Sequence, residues 1–126
     1  MVNPCPFCEI LAYRATAKWR YTWPEAIAIE PLNPVTDGHL LVIPRQHVAD
    51  ATVDPILTGM VMKRAAEIIT PHPSANIITS IGAEATQTVF HLHVHVVPRR
   101  HGDGLHLPWT GQQVDSTLMR EPKDAH

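Results

Sequence analysis

Three histidines in unbroken alternation, His91-Leu92-His93-Val94-His95, are the residues of this sequence best placed to do chemistry. Alternate side chains of an extended strand share a face. The three imidazoles therefore point one way, and Leu92, Val94 and Val96 point the other way, into a core. Neighbours on one face lie roughly 6.5–7 Å apart, close enough for two or three rings to converge on one small group. Two chemistries use such a row. Neutral imidazoles ligate Zn²⁺ or Cu²⁺. Imidazole is also a nucleophile, and a phosphorus centre suits it: one ring attacks while its neighbours hold the negative oxygens and pass a proton to the leaving group. Just upstream, Gln87 and Thr88 offer side-chain and backbone donors to phosphoryl oxygens. The competing interpretation is a solvated polar face, but such a face more usually carries Thr, Lys or Glu.

Cys5 and Cys8 are the only cysteines, in the run Cys5-Pro6-Phe7-Cys8. A C-x-x-C is either a redox pair or half of a metal site. The redox form expects a strand before the motif, and none precedes this one. Half of a zinc site is the better interpretation, provided two more ligands exist.

The elements that must position these residues follow from periodicity and punctuation. Residues 5–15 read as a short helix with Phe7, Ile10 and Leu11 on one face. Trp19–Trp23 reads as an edge strand ended by Pro24, and Ala26–Glu30 as a second strand. Pro31 to Gly38 is dense in turn formers. His39–Pro44 then returns as a buried strand, making an antiparallel hairpin. Val53, Ile56, Leu57, Met60, Val61, Arg64, Ala65, Ile68 and Ile69 follow helical spacing, with Thr52 or Asp54 as cap and Pro55 in the first turn. On that face Arg64 is expected to lay its stem along apolar neighbours with its head in water. Asn76–Ile81 and Thr88–Val97 read as strands around a loop at 82–87. The order is helix, hairpin, helix, hairpin with a mostly antiparallel sheet, so the fold class is α+β.

Composition bounds the rest. The chain has 126 residues, 44% of them apolar and 17% charged. That suits one domain with a core and argues against intrinsic disorder. Ten Lys and Arg against twelve Asp and Glu give a charge of -2. This argues against extended nucleic acid held on a basic surface, though not against a small phosphate pocket. There is no membrane-length apolar run, and no secretory signal is visible at the N-terminus. The expected compartment is reducing and cytoplasmic.

The run from Gln87 to Arg99 resembles the signature of the histidine triad (HIT) family, His-φ-His-φ-His-φ-φ with φ apolar. Gly38-His39-Leu40-Leu41-Val42-Ile43-Pro44-Arg45-Gln46-His47 is similar to the family's Gly-His-x-Leu-Val-Ile-Pro-x-x-His segment, and Cys5 to Ile10 resembles the N-terminus of many bacterial members. The resemblance covers about residues 4–104 and implies one HIT domain over 1–126, with a largely irregular tail at 105–126. It also implies a HIT-like antiparallel sheet of about five strands, with a long central helix and a short N-terminal one. The implied activity is hydrolysis or transfer at the α-phosphorus of nucleoside monophosphate derivatives: adenosine phosphoramidates, adenylates or dinucleoside polyphosphates. A purine nucleotide is the implied substrate and a homodimer the implied assembly.

Residue by residue, the resemblance implies that His93 is the nucleophile. It implies that His95 contacts phosphate on the leaving-group side and that His39 supports the triad. Gln87 and Thr88 match a phosphate-binding Gln-Ser pair. In members with the C-x-x-C, zinc is held by residues matching Cys5, Cys8, His47 and His91. Two thiolates and two imidazoles make a closed set, so this zinc would be structural, with no cofactor needed for catalysis. His72, His101, His106 and His126 are expected to be surface residues. Three departures cluster around the nucleoside. Ser80 stands where members usually carry Asn, and Thr86 replaces a Gly. Pro31 occupies a position where an Asp or Asn often binds ribose hydroxyls. Two other functions remain open beside the enzyme: a nucleotide sensor with little turnover, and a metal-binding protein using all three strand histidines.

Overall fold

The computed structural model describes residues 4–110. Its elements are α1 (Pro6–Leu11), β1 (Trp19–Thr22), β2 (Ala26–Ile29), β3 (Leu40–Pro44), α2 (Pro55–Ile69), β4 (Ala75–Ile78) and β5 (Val94–Pro98), with a short 3₁₀ turn at Ala83–Ala85. The strands form one antiparallel five-stranded sheet in the order β1-β2-β3-β5-β4. The α+β assignment and the expected element order therefore hold, with each element shorter than its sequence pattern.

The sheet buries a different set of residues on each face. Ala26, Ala28, Leu40, Val42, Leu92, Val94 and Val96 pack with Leu57, Val61, Ala65 and Ile68 of α2. Ile27, Ile29, Leu41 and Ile43 point the other way and pack with Phe7 of α1. Alternation along the strands thus divides the molecule into an α2 side and an α1 side. Asp54 caps α2 by accepting from the Leu57 N–H at 3.1 Å, and Pro55 opens the helix.

Several sequence expectations need correction. Val53 precedes α2, and Ile56 is 85% exposed, so the buried stripe is narrower than the periodicity suggested. Arg64 does not end in open water. It pairs with Glu25 at 2.6 Å and Glu67 at 3.1 Å and lies 5.3 Å from the Trp23 ring centroid. The histidine strand is the largest difference, because β5 begins only at Val94. Val94 pairs with Val42, and continuing that register would set Leu92 against Pro44, which has no N–H to donate to the ladder. Leu92 N–H turns instead to the Val48 carbonyl at 2.8 Å. Residues 105–110 carry no helix or strand. The rest of the expected tail, with His126, lies outside the described residues.

Candidate functional site

Although His91 and His93 precede β5, the in-out alternation survives. Leu92 and Val94 enter the α2-side core, and the histidines face the α1 side. Phe7 of α1 meets His91 and His93 edge-on, with ring centroids 5.8 and 5.0 Å away. His93 and His95 are 5.3 Å apart by centroid. His39 joins them from the turn before β3. Gly38 makes that turn possible: its φ is +86°, and a Cβ there would meet Pro98 at 3.1 Å.

Hydrogen bonds fix the tautomer of each neutral ring. His93 Nδ1 lies 2.8 Å from the His91 carbonyl, which can only accept, so Nδ1 carries the proton and Nε2 a free lone pair. The Thr79 hydroxyl donates to the His93 carbonyl at 2.8 Å and braces the backbone at that ring. The Val35 N–H donates to His39 Nδ1 at 3.1 Å, which puts the His39 proton on Nε2. That nitrogen lies 3.0 Å from His95 Nδ1 and donates to it, leaving His95 with its proton on Nε2. One ring thus presents a lone pair and its neighbour an N–H. Burial, with smaller effects from His93 and His39, pushes the His95 ring down to about 4. Burial also lowers His39. Both rings are neutral near pH 7.

His91 points elsewhere. Its Nε2–H donates to the Pro44 carbonyl at 2.9 Å, so its Nδ1 carries a lone pair. That nitrogen is 3.4 Å from Cys5 Sγ, 3.5 Å from Cys8 Sγ and 3.0 Å from His47 Nδ1, and Cys8 Sγ is 3.3 Å from His47 Nδ1. Four donor atoms lie within 4.8 Å of one another. A tetrahedral zinc with ordinary bond lengths needs S···N separations of about 3.6 Å and N···N of about 3.4 Å. The four residues fit such an ion in both chemistry and spacing. Among the described residues this is the one cluster of metal-type donors, so the three histidines do not converge on a metal together.

The loop before the triad corrects one expectation. Gln87 is buried, and its side chain is engaged within the protein. Its Oε1 accepts from Gly82 N–H at 2.8 Å, and its Nε2 donates to the carbonyls of Ala49 at 2.8 Å and Val89 at 3.1 Å. Its own N–H donates to Gly82 O at 3.1 Å. Gln87 therefore braces the loop, and neither its amide nor its N–H is free for phosphate. Thr88 is exposed and Ser80 half-buried. Thr86, where the family has Gly, sits at φ +72°.

The HIT-domain family model matches residues 14–102, more than half of the chain. The chain belongs to the HIT family. A HIT-like protein of Mycobacterium tuberculosis is 38% identical over 109 residues, covering 81% of this chain and 76% of that one. A zinc-bound histidine triad protein from Mycobacterium smegmatis is 39% identical with a TM-score of 0.71, covering 81% of this chain and 79% of that one. A protein of Arabidopsis thaliana named adenylylsulfatase HINT3 is 28% identical over 130 positions, covering 98% of this chain and 64% of that one.

Within the HIT domain, sequence reasoning reached His39, His91, His93 and His95 through the motif. It missed Thr79, Val35 and Pro44, which act through a hydroxyl or backbone atoms that side-chain patterns do not mark. His72, His101 and His106 are exposed, as expected. Among the described residues no helix is long and apolar enough to cross a membrane.

Proposed function

We propose that this chain hydrolyses or transfers nucleotidyl groups at the α-phosphorus of nucleoside monophosphate derivatives through a covalent nucleotidyl-histidine. The observation that carries this is the tautomer arrangement, a lone pair on His93 Nε2 beside an N–H on His95 Nε2. His93 Nε2 attacks phosphorus, and the bond to the leaving atom breaks. As charge builds on that atom, the His95 N–H offsets it, held in the right tautomer by His39. Thr88, just before the triad in sequence, and Ser80 offer hydroxyl donors to the phosphoryl oxygens. Water then attacks the same phosphorus, frees His93 and releases the nucleoside monophosphate.

Cys5, Cys8, His47 and His91 would hold a zinc ion that ties α1 to the sheet and supplies cross-linking, with the bond-making groups elsewhere. The name of the Arabidopsis relative, an adenylylsulfatase, supports an adenylyl substrate. The test is to mix the protein with an adenosine phosphoramidate and quench within one turnover. Mass spectrometry should find an adenylyl adduct on the peptide carrying His93, and His93→Ala should lose it together with nearly all turnover. Unimpaired turnover by His93→Ala would refute the covalent route. Binding without turnover in the wild type would mark a nucleotide sensor.

A further inference from the structure

The two rings of the proposed reaction are held in different ways. His95 lies inside the sheet, paired with Leu41 of β3 on one side and with Ile78 of β4 on the other. Two neighbouring strands therefore fix its backbone. His93 lies outside both ladders. The β3–β5 ladder reaches no further than the Val42–Val94 pair, and the β4–β5 ladder no further than Ile78–His95. Continuing the second register would set Ser80 opposite His93, but β4 has already ended at Ile78. The ring that attacks thus projects from backbone just beyond the sheet, while its partner, 5.3 Å away by centroid, projects from within it.

A side chain takes the place of the ladder at His93. Thr79, the first residue after β4, donates its hydroxyl to the His93 carbonyl at 2.8 Å. That carbonyl belongs to the peptide joining His93 to Val94, the entry to β5. Other bonds secure the segment further upstream. The Leu92 N–H goes to the Val48 carbonyl at 2.8 Å, and the His91 Nε2–H to the Pro44 carbonyl at 2.9 Å. Neither fixes the plane of the His93–Val94 peptide. Threonine suits that task, because its branched Cβ restricts χ1 and its hydroxyl carries one donor.

We infer that Thr79 is a positioning residue for the nucleophile. Its hydroxyl sets the peptide from which the His93 ring projects, and so aims His93 Nε2 relative to the His95 N–H. This assignment rests on the proposed function and adds to it a residue that acts only through His93. A displacement of about 1 Å at a reacting atom can cost a hundredfold in rate.

The test measures formation of adenylyl-His93 from an adenosine phosphoramidate in a single turnover, with calorimetric titration of adenosine monophosphate and a thermal melt of each variant. Thr79→Val keeps the shape and loses the donor. It should slow adenylation by roughly ten- to a hundredfold while leaving the affinity for adenosine monophosphate unchanged. Thr79→Ser, which keeps the donor, should return to within a few-fold of the wild type. Thr79→Ala gives the same reading should Thr79→Val not fold. A merely structural role would lower Tm and leave the adenylation rate of the folded protein intact. Adenylation at the wild-type rate in Thr79→Val overturns the assignment, as does a Thr79→Ser equally slow, or a parallel loss of nucleotide affinity. Each of these leaves the proposed reaction standing. A wild type that forms no adduct refutes the proposed function, and the role of Thr79 falls with it.

Discussion

The carbonyl of His91 accepts the Nδ1–H of His93 at 2.8 Å, while the ring of the same His91 turns its Nδ1 into the cysteine cluster. One residue thus belongs to two sites. Its backbone sets the tautomer of His93 and its side chain completes a set of metal ligands. Phe7 reinforces the link, since it sits between the two cysteines in sequence and touches both rings in space.

Metal removal should therefore be felt at His93 as well as in stability. Zinc that binds only the folded chain stabilises it by mass action, and loss of a few kcal/mol corresponds to a fall in Tm of roughly 10 °C. Cys8→Ala, or a strong chelator, should produce that fall. The His93 Nδ1–H resonance should broaden at the same time, as α1 and the His91 ring lose their anchor. Elemental analysis of protein purified without chelators should find one zinc per chain. Its absence, with an unchanged Tm on chelation, would refute a bound ion.

The His39–His95 pair predicts acid sensitivity. The folded His95 ring is pushed down to about 4 from an ordinary 6.5. As pH falls below 6.5 the unfolded chain takes up this proton first, so the folded state loses ground. The stabilising effect is complete above about 6.5 and is lost as pH falls toward 4. Tm should drop by several degrees over that interval, and His95→Gln should flatten the drop. A wild-type Tm that is constant across this window would contradict the buried neutral ring.

The sequence made the fold legible where periodicity is strict. The two apolar alternations of β2 and β3 and the stripe Leu57, Val61, Ala65 and Ile68 are plain in the chain itself. The triad was legible because His-x-His-x-His has few other uses. The early end of β5 was not, because it depends on Pro44 from another strand. Gln87 was misjudged for a related reason. A glutamine beside a phosphate motif looks like a ligand until its three partners, the nearby Gly82 and Val89 and the distant Ala49, are known. The metal set needed the family resemblance, since nothing in nine histidines singles out His47 and His91.

Thr86 is a place where the chain carries strain. A β-branched residue at φ +72° occupies the left-handed region, which costs an L-residue about 1–2 kcal/mol. Glycine relieves that strain but gives up about 0.5–1 kcal/mol to the freer unfolded chain. Thr86→Gly should then stabilise by about 0.5–1 kcal/mol, raising Tm by a few degrees. Gln87→Ala should act in the opposite sense, by about 1–3 kcal/mol, because the Gly82 N–H would lose its buried acceptor. Thermal melts of the two variants beside the wild type check both signs.

Pro31 predicts the sugar preference. It lies two residues beyond Ile29, the last paired residue of β2, just as His39 lies two before Leu41, its partner on β3. Pro31 is thus near the triad, at the position where the family resemblance puts a ribose-binding acid or amide. Proline offers no donor there and only its carbonyl as acceptor. The Glu30 carboxylate is already paired with Arg20 at 2.9 Å, in a cleft that Gly38 and His39 also line. A missing hydrogen bond to a neutral hydroxyl costs about 0.5–1.5 kcal/mol, or roughly 2- to 13-fold in affinity. The wild type should therefore separate ribo- from 2′-deoxyribonucleotide substrates only weakly. Pro31→Asp should raise that discrimination in kcat/KM by a factor in the same range. Strong ribose preference in the wild type, unchanged in Pro31→Asp, would show that another residue holds the hydroxyls.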